Sequence, residues 1–165
     1  MGEALWGFLG TLVGAGVSIA TQLLALRHAS SSQQHADNLQ RAERARAFQR
    51  ETLLAIQDTL QEGMRSAAMM VHHDILAEKR GSPWGTTRSP NDISEQLRLA
   101  NARLTALVER VADDGLRATL KHLHGQMNEP PMATSRPEAE TLLSRASQGS
   151  ERAMAHLGAI LRTYY

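Results

Sequence analysis

Between Ala4 and Leu26 the chain reads ALWGFLGTLVGAGVSIATQLLAL, 23 residues without a charge or a proline. A helix of this length, at about 1.5 Å per residue, is about 34 Å long and can cross a hydrocarbon core of about 30 Å. A secretory signal peptide would open on basic residues and carry an apolar core of about 7 to 15 residues. Here Met1-Gly2-Glu3 has no basic side chain and the apolar run is longer. A helix this uniformly apolar could otherwise be buried only within a larger protein. The sequence therefore predicts a single transmembrane helix over 4–26. Met1-Gly2 also starts like a myristoylation motif, but Trp6 stands where Ser or Thr is needed.

The span has a face. Gly10, Gly14 and Ser18 recur every four residues, with Gln22 one step further. Small residues at that spacing let two helix backbones approach closely, and a glutamine near the membrane edge can bond to a partner. These four residues are the expected association face, for a second copy or a partner membrane protein. Basic residues set the orientation. Glu3 is the sole charge before the span and Arg27 comes immediately after it, which places the carboxy-terminal part in the cytoplasm.

From Ser30 to Arg80 there is no proline, and the first glycine is Gly63. Residues 27–46 are mostly polar and read as a helical stalk, with Ser30-Ser31-Ser32 either capping a new helix or forming one turn of a continuous one. Arg27, Arg41 and Arg44 are candidates for contact with anionic lipid headgroups. On a straight stalk, however, Arg41 stands about 20 Å from the span, beyond a Debye length of about 8 Å, so a solvated face is the simpler reading.

The segment 47–165 reads as a cytoplasmic antiparallel helical bundle. Leu53, Ile56, Leu60, Met64, Ala67, Val71 and Ile75 step by 3 and 4 along one helical stripe. Gly81 to Pro90 is a loop with two glycines and two prolines. Asn91 or Asp92 caps a second helix striped by Ile93, Leu97, Ala100, Leu104, Leu107 and Val111. Asp113-Asp114-Gly115 interrupts it; Leu116, Leu120 and Leu123 resume as a short helix ending near Gly125. After Asn128-Glu129-Pro130-Pro131, Pro137 opens a last helix striped by Leu142, Ala146, Gly149, Ala153, Leu157, Ile160 and Tyr164. The fold class expected is all-α: one transmembrane helix, then an antiparallel three-helix bundle made of a long hairpin and a C-terminal helix.

The order of these pieces resembles a loose group of small bacterial membrane proteins of uncharacterised activity. The likeness lies in the Gly-rich span Trp6 to Leu26, the Arg-rich segment Arg41 to Phe48, and Leu97-x-x-Ala100-x-x-x-Leu104 running through Asp113 to Leu123. It implies the architecture and assigns no functional residue.

Seven histidines raise the question of metal. His72-His73-Asp74 and His122-Leu123-His124 are the clusters, and His28, His35 and His156 stand apart. In a tight hairpin around the 81–90 loop, His73 faces Leu97 to Leu99 while His122 lies opposite Gln49 to Leu53, on the order of 35 Å away at helical rise. The clusters then cannot share an ion, and no Glu-x-x-His pair of the di-iron bundle kind is present. Asp113-Asp114-Gly115 is followed by Leu116, Arg117 and Ala118, which supply no calcium-ligand oxygens, and is expected to cap the helix beyond it. Cysteine is absent, which excludes disulfides and thiolate metal sites. A net charge of +1 and 4% aromatic content argue against nucleic acid. Trp84 is expected to plug the distal end of the bundle, and Met69 and Met70 to join the core.

The expected function is a membrane-anchored helical scaffold, adaptor or small oligomer at the cell membrane. It needs no cofactor or metal, and neither a catalytic residue nor a small-molecule substrate is identifiable. The alternative is a membrane-active effector whose spans oligomerise and permeabilise the bilayer.

Overall fold

The computed structural model describes residues 33–87 and 89–165 with their side chains, and residues 2–32 as helical backbone alone. The chain is all-helical, with no strand among the described residues. Four α-helices occur in order: α1 (Gly2–Lys79), α2 (Asn91–Val108), α3 (Asp114–Asn128) and α4 (Arg136–Leu161). Single 3-10 turns occupy Pro130–Met132 and Arg162–Tyr164.

The chain divides into two compact units, Met1–Ala45 and Arg46–Tyr165. In the first, every described side chain from Gln33 onward is exposed, Leu39 among them, as a segment without an apolar stripe must be. Among the described residues no helix is long and apolar enough to cross a membrane. The expected span, Ala4–Leu26, lies outside them.

In the second unit, the apolar stripes of the four helices meet in one core. Leu53, Ile56, Leu60, Ala67 and Val71 come from α1, and Leu97, Ala100, Leu104 and Leu107 from α2. Leu116, Leu120, Leu123 and Met127 come from α3, with Ala146, Ala153 and Leu157 from α4. Met70 packs against this core while Met69 is exposed, so the two adjacent methionines divide between core and surface.

Helix ends obey local chemistry. Gly81 ends α1 at φ +93°, with Ser82 N–H bonded to Ala77 O and Gly81 N–H to Glu78 O. That pairing needs a left-handed residue, which glycine supplies without strain. Asp113 starts α3, its Oδ1 accepting from Leu116 N–H at 2.6 Å. Pro137 sits in the first turn of α4, where a missing N–H costs nothing.

Two expectations are corrected. The short helix expected after Asp113 is present as α3, but it continues past Gly125, its expected end, to Asn128. It folds back along α2, with Lys121 paired to Glu109 at 2.7 Å and Asn101 bonded to Asn128. Second, the register of α1 on α2 is not that of a tight hairpin. Gln49 meets the backbone at Arg110 and Ala112, and Gly63 lies beside Ala100. Helix α1 therefore runs past the start of α2, and Glu78 in its last turn reaches Arg136 of α4 at 4.0 Å. At the other end of α4, Tyr165 lies under the Arg50 guanidinium at 5.4 Å, so α4 runs antiparallel to α1.

Candidate functional site

Helices α3 and α4 lie antiparallel, and the small residues of α4 let them come close. A Cβ added at Gly149 would sit 2.5 Å from Gln126 Oε1 and 3.2 Å from Leu123 Cδ1. Beside this close approach opens a groove of about 490 Å³ lined by Thr119, His122, Gln126, Arg152 and His156, with Leu123 and Gly149 at its floor. The lining residues recur at helical spacing on both sides: Thr119, His122 and Gln126 on α3, and Gly149, Arg152 and His156 on α4.

Gln126 is only 8% exposed. Its Nε2 lies 3.1 Å from His122 Nε2, while its Oε1 is buried without a hydrogen-bond partner. With a neutral ring, the amide N–H donates to His122 Nε2 and places the imidazole proton on Nδ1. Thr119 Oγ1 spends its proton on Gly115 O. His156 Nε2 lies 3.9 Å from Asp113 Oδ1, the same oxygen that caps α3. No residue lining the groove is acidic, so its walls carry positive or protonatable groups.

The remaining histidines lie elsewhere. His124 faces α2, beside a small cavity of about 50 Å³ lined by Thr105, Val108, Glu109 and Lys121. Burial pushes its pKa down, and its Nε2 has no partner. His73 Nδ1 is buried 3.9 Å from Asp74. Among the described residues no three His, Asp or Glu side chains are grouped to hold a metal ion.

A second groove, about 370 Å³, runs between α1 and α2 and is lined by Phe48, Thr52, Ala55, Leu107, Arg103 and Arg110 together with Glu51 and Ala106. Trp84, half-buried at the loop end, donates its indole N–H to Ala133 O at 2.8 Å, which ties the 81–90 loop to the segment before α4.

Of the residues singled out in the sequence, Gly10, Gly14, Ser18, Gln22 and Arg27 lie outside the described residues. Arg41 and Arg44 are exposed on α1. His156 stands apart from the other histidines in sequence, yet it shares a groove with His122. The repeated spacing of polar groups on α3 and α4 was the available signal. Its meaning depends on the antiparallel register, which the Pro130-Pro131 turn alone does not determine.

No family model, curated protein or solved structure matches this chain.

Proposed function

We propose that the protein is a membrane-anchored helical scaffold or adaptor that holds a partner protein, or further copies of itself, close to the bilayer. In this reading Ala4–Leu26 spans the cell membrane, residues 27–46 form the stalk, and the helical bundle over 47–165 stands in the cytoplasm. The observation that carries it is the 23-residue uncharged run joined, through a segment exposed from Gln33 to Ala45, to a unit with a core of its own. An anchor, a spacer and a folded domain are the parts a tethering protein needs, and none of them has to turn over a substrate. Gly10, Gly14, Ser18 and Gln22 are the proposed contacts within the bilayer. The bundle adds exposed apolar side chains on α1 and α2, Leu54, Met69, Leu76 and Leu99, available to a protein partner.

The test is crosslinking of the intact protein in native membranes with mass spectrometry of the products. One reproducible foreign partner supports an adaptor. A ladder of self-crosslinks with nothing else attached moves the reading to the membrane-active oligomer. Release of the protein from membranes by alkaline carbonate overturns the anchor itself.

A further inference from the structure

The α3–α4 groove carries a guanidinium that the protein does not neutralise. Arg152 makes no ion pair among the described residues. The groups facing the two imidazoles are Thr119 and Gln126 from α3, Arg152 from α4, and Asp113 at the α3 N-cap. Asp113 is the single carboxylate among them; it lies beside His156, 3.9 Å from Nε2, and no carboxylate is paired with Arg152. A guanidinium and two imidazoles on one wet groove repel each other when protonated, and an anion placed between them removes that cost.

Gln126 orients the His122 ring beside Arg152 and leaves one polar atom of its own without a partner. In the arrangement seen, its amide nitrogen serves the ring while its oxygen is buried against Gly149 with no partner.

We propose that this groove binds a phosphomonoester dianion. A phosphomonoester carries about −1.5 to −2 charges at neutral pH. A carboxylate offers one charge and two oxygens. Three terminal phosphate oxygens suit the Arg152 fork plus the N–H groups of His122 and His156. The volume of about 490 Å³ falls in the range of small-ligand sites, roughly 300 to 1,000 Å³. The proposal holds whether or not the chain is membrane-anchored.

The test is calorimetric titration of the full chain, in nonionic detergent, with inorganic phosphate against sodium chloride of equal ionic strength. Saturable binding is expected at about pH 7, weakened by His122→Gln through loss of one N–H donor. Arg152→Gln should weaken it by on the order of tenfold or more, while Arg145→Gln, on the same helix outside the groove, leaves it unchanged. Vesicles bearing phosphatidic acid, set against phosphatidylcholine, separate a lipid headgroup from a soluble ester; a response to either that requires Arg152 supports the site. Absence of saturation by both phosphate and vesicles, or equal losses in Arg152→Gln and Arg145→Gln, overturns it as an adventitious ion only.

Discussion

The side-chain amide of Gln49 closes two hydrogen bonds on the chain around Ala112: its Oε1 accepts from Ala112 N–H at 3.0 Å, and its Nε2 donates to Arg110 O at 2.9 Å. These atoms lie just past the end of α2, where carbonyls and amides have lost their intrahelical partners. A single residue of α1 thereby fixes the bend that sends α3 back along α2. Each bond contributes about 1 kcal/mol net, so Gln49→Ala should lower unfolding stability by about 1 to 2 kcal/mol. Gln49→Glu keeps the acceptor, loses the donor and should fall between. Urea denaturation measures the difference, and faster hydrogen exchange at the Ala112 amide localises it. An unchanged midpoint for Gln49→Ala would mean that water replaces the clamp.

Gly63 tests how tightly α1 packs on α3. A Cβ there would lie 2.7 Å from Met127 Sδ and 2.9 Å from its Cε, and Met127 is fully buried. Alanine gains about 1 kcal/mol of helix propensity, and the flexible end of Met127 can yield to one methyl, so Gly63→Ala should be near neutral. Valine adds two more carbons that the site cannot absorb. Gly63→Val should destabilise by about 2 kcal/mol through overpacking. Combining it with Met127→Ala should recover part of that loss in a double-mutant cycle; additive effects would show that Met127 is not the obstacle.

Helix identity was readable because it depends on local periodicity. The stripes Leu53 to Ile75 and Ile93 to Val111 each come from one helix or its immediate end, and all their members but Met64 and Ile75 are buried. The Gly81 stop was readable for the same reason. Register was not. A ten-residue loop does not set which residues of α1 face α2; contacts distant in sequence, Gln49 with Ala112 and Gly63 with Met127, do so instead. The separation of α3 from α2 was half visible in Asp113, whose capping role was expected and whose chain reversal was not. The pairing of His122 with the His156 groove needed the α3–α4 register and could not be read before it.

The half-buried imidazole of His124 should make stability depend on pH. Burial lowers its folded pKa below the unfolded value near about 6.5. The unfolded chain therefore binds more protons than the folded one once the pH drops below that value, and stability falls on acidification until the folded pKa is passed. Above the unfolded pKa this residue contributes no slope. The carboxyls of Glu95, Glu109 and Glu138 are held low by Arg98, Lys121 and Thr134 respectively. Their stabilisation is present above the ordinary carboxylate range and is lost further down, in a separate window. Thermal melts between about pH 7 and about pH 5 should show a decline that His124→Gln flattens. An identical slope in the variant would assign the decline to another group.

The proposed topology can be read from the carboxy terminus, because Tyr165 is 85% exposed and open to fusion. In the proposed topology the stalk and bundle stand in the cytoplasm, as expected from Arg27, the first charge after the uncharged run, by the bias of basic residues. A phosphatase that is active only outside the cytoplasm, fused after Tyr165, should be silent while the fusion is present at full length. Activity there would reverse the orientation and place the bundle outside.

Association within the bilayer should depend on the small-residue face. Close backbone approach at Gly10, Gly14 and Ser18 requires that no side chain intervene, so Gly14→Ile should sharply reduce self-crosslinking or capture of the partner in native membranes. Gln22→Leu removes a polar contact instead of a steric one. Its expected cost is about 1 kcal/mol, roughly a fivefold loss of association, since hydrogen bonds between membrane helices contribute about that much. The two variants separate packing from hydrogen bonding: loss with Gly14→Ile alone assigns the contact to close packing, and loss with both adds Gln22 to it. Wild-type signal from both variants would remove the face, and any association of the protein would then have to come from the bundle.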